Sequence, residues 1–191
     1  MGHRALVAYE RPDGRYDRHY AHWGATSFAL RHKITAKTPF AGETTETTTV
    51  RSGTGSISSK SRWKPAIEPA PQATALSCKD ATNFDYHQIE AFYVVSLAWD
   101  VTTYIPLWFG PTGRADPTVG ALVAVCDDHD AVHVREWFRA TRAVVRDMVR
   151  RGALGEREAT NYLANRTVEW GRPSKGNTDE LTGIVTVSQP R

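Results

Sequence analysis

The chain has 191 residues, 40% of them hydrophobic and 10% aromatic, with six Trp and a formal net charge of +3. That length suits one core, and the apolar content argues against global disorder. So mild a basicity falls short of the concentrated charge of a dedicated nucleic-acid binder.

The longest apolar run, Ala91 to Trp99, is broken at Ser96 and is far shorter than the roughly 20 residues that span a bilayer, so no membrane partner is expected. Met1 to Arg4 leads directly into an alternating pattern with no apolar leader, and Leu6 stands where a myristoylation signal needs Ser or Thr. A cytoplasmic location is the expectation. Cys78 and Cys126 are too few for a disulfide framework and form no CxxC pair, so both read as reduced thiols.

In chain order, His3 to Glu10 and Arg15 to Trp23 flank Arg11-Pro12-Asp13-Gly14 and read as a β-hairpin, since Pro presets φ and Gly supplies φ > 0. With a three-residue loop and a G1 bulge, Arg4 would lie opposite His22 and His3 opposite Trp23. Ala25 to Ile34 has Phe28, Leu30 and Ile34 loosely at helical spacing and reads as a short helix. From about residue 35 to 79 the composition turns to Thr, Ser and Pro with few large apolar side chains, which reads as a long flexible excursion that buries little. A frayed hairpin around Val50 and Ile57 is an option, because Thr is β-branched.

Asp85 to Glu90 reads as a brief lead-in. Ala91 to Trp99 and Val101 to Phe109 are β-branched and aromatic runs meeting near Asp100, and Thr118 to Val125 is a third strand of that kind. Val134, Trp137, Phe138, Thr141, Val144, Val145, Met148 and Val149 recur at three and four residues until Gly152, which predicts an amphipathic helix. A second helix over about Glu156 to Trp170 follows a short connection, so the two should form an antiparallel helical hairpin covering one sheet face. Residues 171–191 read as a flexible tail in which Leu181 to Ser188 alternates enough to offer an edge strand. The fold class expected is α+β: a mostly antiparallel sheet of about five strands, packed by the C-terminal helical hairpin within one domain over residues 1–170.

Three constellations offer chemistry. Arg135, Arg139, Arg142, Arg146 and Arg150 fall on one narrow helical stripe and would suit a phosphate backbone or an acidic partner, although a solvated helix face must be polar in any case. Asp127, Asp128, His129 and His133 could hold a divalent metal, since His129 and His133 stand at i, i+4; Asp127, Asp128 or Asp130 would equally cap the following helix without an ion. No other cofactor is expected. Tyr16, Tyr20, His22 and Trp23 give the first hairpin an aromatic and imidazole face that could pack or receive a stacked ligand. His19 and His22, three apart on a strand, should point to opposite faces.

No GxSxG, P-loop, GxGxxG, HExxH or paired CxxC occurs. The leading expectation is therefore a non-enzymatic binding or regulatory module contacting nucleic acid or an acidic protein. The alternatives are a metal-assisted hydrolase or nuclease built on the Asp-His cluster, and a structural or assembly component.

The segments Met1 to Gly14, His19 to Ala25, Glu90 to Ser96, Leu107 to Gly110 and Trp137 to Gly152 together resemble a family of small haloarchaeal proteins of uncharacterised function. The resemblance implies an archaeal cytoplasm with a plasmid or viral gene context, and no activity, cofactor or assigned site. Haloarchaeal cytosolic proteins are usually strongly acidic, so a charge of +3 gives added weight to an anionic partner.

Overall fold

A computed structural model describes residues 3–42, 66–113 and 115–170. The first hairpin joins β1 (Ala5–Glu10) to β2 (Tyr16–Ala21). Gly14 sits at φ +72°, a conformation a Cβ would strain, and its N–H closes the turn onto the Arg11 carbonyl at 2.9 Å. The register pairs Ala5 with Ala21 and Glu10 with Tyr16. In that frame Arg4 lies across from His22 and His3 across from Trp23, as the loop length predicts.

Among the described residues, six strands form one sheet in the order β3-β2-β1-β4-β5-β6, with β4 (Ala91–Val95), β5 (Val101–Trp108) and β6 (Gly120–Val125) on one side. Only β1 and β4 run parallel; the other pairings are antiparallel. The fold is α+β.

The sixth strand, β3 (Ala73–Leu76), lies inside the stretch whose composition suggested a flexible excursion. It is held less by apolar burial than by polar contacts from β2 and the turn before it. Asp17 accepts from the Ala75 N–H at 2.9 Å, and Arg15 donates to the Ala75 carbonyl at 3.0 Å. Ile67, in the same stretch, is wholly buried, and its N–H bonds to the Phe40 carbonyl. Both ends of the stretch are therefore built into the fold. Its middle, including Val50 and Ile57, and the tail with Leu181 to Ser188 lie outside the described residues.

The segment read as one short helix divides into a 3-10 turn at Thr26–Phe28 and α1 (Leu30–Lys33), because Ser27 and Phe28 both take positive φ. A single turn, α2 (Cys78–Ala81), starts at Ser77, whose hydroxyl accepts from the Asp80 N–H. Two long helices, α3 (Asp128–Arg150) and α4 (Glu156–Trp170), follow β6.

Strand alternation divides the core in two. Ala5, Val7, Tyr93, Val95, Ile105 and Leu107 face α3, α4 and the 25–41 segment. Leu6, Ala8, Phe92, Tyr104 and Trp108 face Phe84 and Tyr86 on the other side. The helical hairpin packs on the first face with Val134, Phe138, Val145, Ala159 and Leu163. Other members of the apolar series on α3 stay outside: Val144 is 62% and Met148 39% exposed, while Trp137 stacks on Trp170 of α4 at 4.6 Å.

Among the described residues, no helix is long and apolar enough to cross a membrane. Cys78 and Cys126 are both free and exposed.

Candidate functional site: an arginine-lined groove

The β4–β5 ladder starts at the Phe92–Tyr104 pair, whereas β5 continues to Trp108 with β6 still alongside. On the β4 side of Pro106, Leu107 and Trp108 there is accordingly no strand among the described residues. Residues 86–90 pass there instead, α3 crosses the opening, and a groove of about 450 Å³ is left between them. Tyr86, His87, Ile89 and Glu90 form one wall, Pro106 to Trp108 contribute from β5, and Arg135, Phe138, Arg139, Arg142 and Arg146 line the α3 wall.

The Arg stripe therefore exists, and four of its five members line one groove. Arg150, further along α3, is exposed and does not line it. The stripe is not uniformly solvated. Arg135 donates to the Glu90 carbonyl at 2.8 Å and lies 5.0 Å from the Phe28 ring centre. Arg142 sends Nε and Nη2 to the Gly110 carbonyl at 3.0 and 2.7 Å, with its guanidinium 4.5 Å from the Trp108 ring centre. Burial pushes the pKa of both guanidiniums down; the charge of Arg146 pushes Arg142 the same way, while at Arg135 Glu90 and Tyr93 oppose the shift and Arg139 adds to it. Arg139 and Arg146 are exposed and make no hydrogen bond or ion pair among the described residues. The carboxylate of the groove, Glu90, contacts His3 Nδ1 at 3.0 Å.

Trp108 anchors this end of the groove. Its Nε1 donates to the Asp116 carbonyl at 3.0 Å, and the exposed His87 ring lies 4.5 Å away. Sequence reasoning missed His87, Glu90 and Trp108 as site residues. The missing signal was where β4 begins: residues 85–90 form a turn, with the Gln88 and Ile89 N–H groups on the Asp85 carbonyl, so β4 starts only at Ala91 and leaves Pro106 to Trp108 of β5 beyond its reach.

The hairpin's aromatic face is brought together in part. Tyr20 Oη and His22 Nδ1 are 3.1 Å apart, His22 meets Trp23 edge-on at 5.0 Å, and His3 adds a ring 6.2 Å from Trp23. Tyr16 lies elsewhere, lining a small apolar pocket of about 70 Å³ with Cys78, Phe92 and Tyr104. His19 is buried beside Tyr9 and Phe40, with Nδ1 2.9 Å from the Glu68 carbonyl. His22 is exposed beside Tyr20, so the two imidazoles separate as strand alternation requires.

The acidic cluster is also divided. Ligand atoms of Asp127, His129 and Asp130 fall within 4.8 Å of one another. Asp128 instead faces Arg31 at 3.6 Å, and His133 stacks on Trp170 at 5.1 Å. Asp127 is the N-cap of α3: its carboxylate accepts the Asp130 N–H at 2.8 Å, a bond that also pulls its pKa below the usual carboxylate range. Asp130 in turn accepts from the Cys126 N–H at 3.2 Å. Asp127→Ala is expected to lower Tm through loss of this cap, whereas Asp127→Asn, which keeps an acceptor, should stay near wild type.

A family described as "Family of unknown function (DUF6735)" matches residues 1–178. The chain belongs to that family. No curated protein and no solved structure matches it. For this DUF6735 member, then, the groove has to be read from its own chemistry: a concave surface with four guanidiniums on one wall, an exposed imidazole against Trp108, and apolar side chains between them. Such a surface can hold an anion and pack against something flat.

Proposed function

We propose that the protein is a non-enzymatic binding module whose groove takes the phosphate backbone of a nucleic acid. The observation that carries this reading is a row of four guanidiniums along one wall, none of them within ion-pair reach of a carboxylate among the described residues. Two of the four, Arg135 and Arg142, are partly withdrawn from water onto carbonyl oxygens. Burying a cation costs free energy; at Arg135 the charge of Glu90 offsets part of it, at Arg142 no carboxylate among the described residues does, and a bound anion would offset the remainder. Guanidinium forks match phosphate oxygens in geometry as well as charge.

Nucleic acid fits better than an acidic protein. Each carboxylate of an acidic peptide rides on its own mobile side chain and must be ordered separately, whereas phosphates are fixed to their backbone. The haloarchaeal origin and cytoplasmic setting belong to this proposal, supported by the resemblance of the hairpin, Glu90 to Ser96 and Trp137 to Gly152 segments. Among acidic cytosolic proteins, a chain of +3 is suited to a polyanionic partner.

Fluorescence anisotropy with a labelled oligonucleotide across a salt series tests the reading. Affinity should fall steeply with salt, and Arg139→Ala/Arg146→Ala should flatten the log–log slope by about 0.7 to 0.9 for each phosphate no longer neutralised. Absence of binding at low salt, or an unchanged slope in the double variant, refutes it.

A further inference from the structure

We infer that the groove takes a single strand and not a duplex, a refinement that rests on the nucleic-acid reading of the same groove. Its cations occupy one wall only. At about 1.5 Å of rise per residue, Arg135, Arg139, Arg142 and Arg146 make a single row about 16 Å long on α3. One row follows one phosphate backbone.

The wall across from it is different in kind. Tyr86, stacked on Phe84, and Leu107 are buried, while His87 offers an exposed ring and Ile89 a half-buried aliphatic side chain, with Pro106 beside them. These are groups that meet the flat face of an unstacked base. A duplex keeps its base faces in the stack and would gain nothing from that wall. Nor could it reach the inner cations. Arg135 and Arg142 are half-buried inside a concavity of about 450 Å³, within the size range of small-molecule clefts, so a convex duplex would touch only the exposed Arg139 and Arg146. A strand lying in the groove meets all four and places a base against His87, whose ring is exposed beside Trp108.

The experiment compares four labelled or competing probes at low salt: a single-stranded oligonucleotide, a duplex of equal phosphate number, an abasic strand of equal charge, and a polyglutamate peptide. The single strand should bind about tenfold or more tightly than the duplex and than the abasic strand, the gain expected from seating even one base on a ring. His87→Ala should shrink the gap between the single and abasic strands while leaving abasic binding in place. Equal affinity for duplex and single strand overturns this inference and leaves the groove reading standing. Equal affinity for the normal and abasic strands overturns the base-seating wall. Polyglutamate binding more tightly than any nucleic acid, or no binding by any probe, overturns the inference together with the nucleic-acid reading.

Discussion

Phe109→Ala is expected to remove about 3 to 5 kcal/mol of stability, the usual cost of truncating a fully buried Phe. The side chain has no exposed surface and its ring centre lies 6.0 Å from that of Phe138 on α3. Truncation leaves a void between the end of β5 and the helix that carries the arginines, and close-packed neighbours collapse only partly into such a space. Since domains have about 5 to 15 kcal/mol in total, roughly a fifth or more would go. In a protein of this size each kcal/mol moves Tm by roughly 2 to 4 °C, so the expected fall is on the order of 6 to 20 °C. Val144→Ala is the internal comparison. That residue is 62% exposed on the same helix, and its truncation should change stability by no more than about 0.5 kcal/mol. Two variants with similar melting curves would mean that Phe109 does not pack as described. The loss also reaches the groove, because residue 110 supplies the carbonyl that fixes Arg142.

Most of the fold was legible in the sequence where local chemistry and burial agree. The Pro12-Asp13-Gly14 turn fixed the register of the first hairpin down to the His3–Trp23 pairing, because a loop of three residues with φ > 0 at its last position leaves one frame. The α3 and α4 hairpin was legible because periodicity, an acidic first turn and Gly152 at φ +70° all marked the same boundaries. What escaped was held by bonds between residues distant in sequence. Strand β3 is Ala-Thr-Ala-Leu, too weak an apolar pattern to read, and it exists because Arg15 and Asp17, some sixty residues earlier, bind its backbone. The same applies to Ile67, which is buried although its neighbours carry no pattern.

The groove was half legible for a related reason. Helical spacing places five arginines on one stripe but cannot say whether the edge of that stripe meets water or a neighbouring segment. Arg135 and Arg142 lie on the side nearest the buried face, so they turn in toward the Glu90 and Gly110 carbonyls, while Arg139 and Arg146 stay out. The cavity they border follows from β5 running past the start of β4, which the turn over residues 85–90 delays to Ala91. The Asp-His cluster illustrates the opposite case. Its residues are adjacent in sequence, yet the start of α3 sends Asp128 to Arg31 and His133 to Trp170, because successive helical positions diverge by about 100°.

Gly110→Ala is the second large effect expected, and it tests the groove at its narrowest support. A Cβ at this position would come within 2.1 and 2.3 Å of the Cζ2 and Cε2 atoms of the Trp108 indole, so space and not φ dictates the glycine. The indole is rigid and cannot yield by bending. It must swing away, giving up the Nε1 bond to the Asp116 carbonyl and the stacked Arg142 guanidinium. Overpacking costs about 1 to 3 kcal/mol and a stranded buried donor about the same again, which together predict a loss of roughly 3 kcal/mol or more. Trp108, 8% exposed in the native fold, would become reachable by a soluble quencher of tryptophan fluorescence. Gly113→Ala provides the contrast, since nothing lies within 4 Å of the Cβ it would add, and it should melt like the wild type. If Gly110→Ala also melted like the wild type, with Trp108 still shielded, the indole could not be lying over residue 110, and the floor that holds Arg142 in place would have to be redrawn.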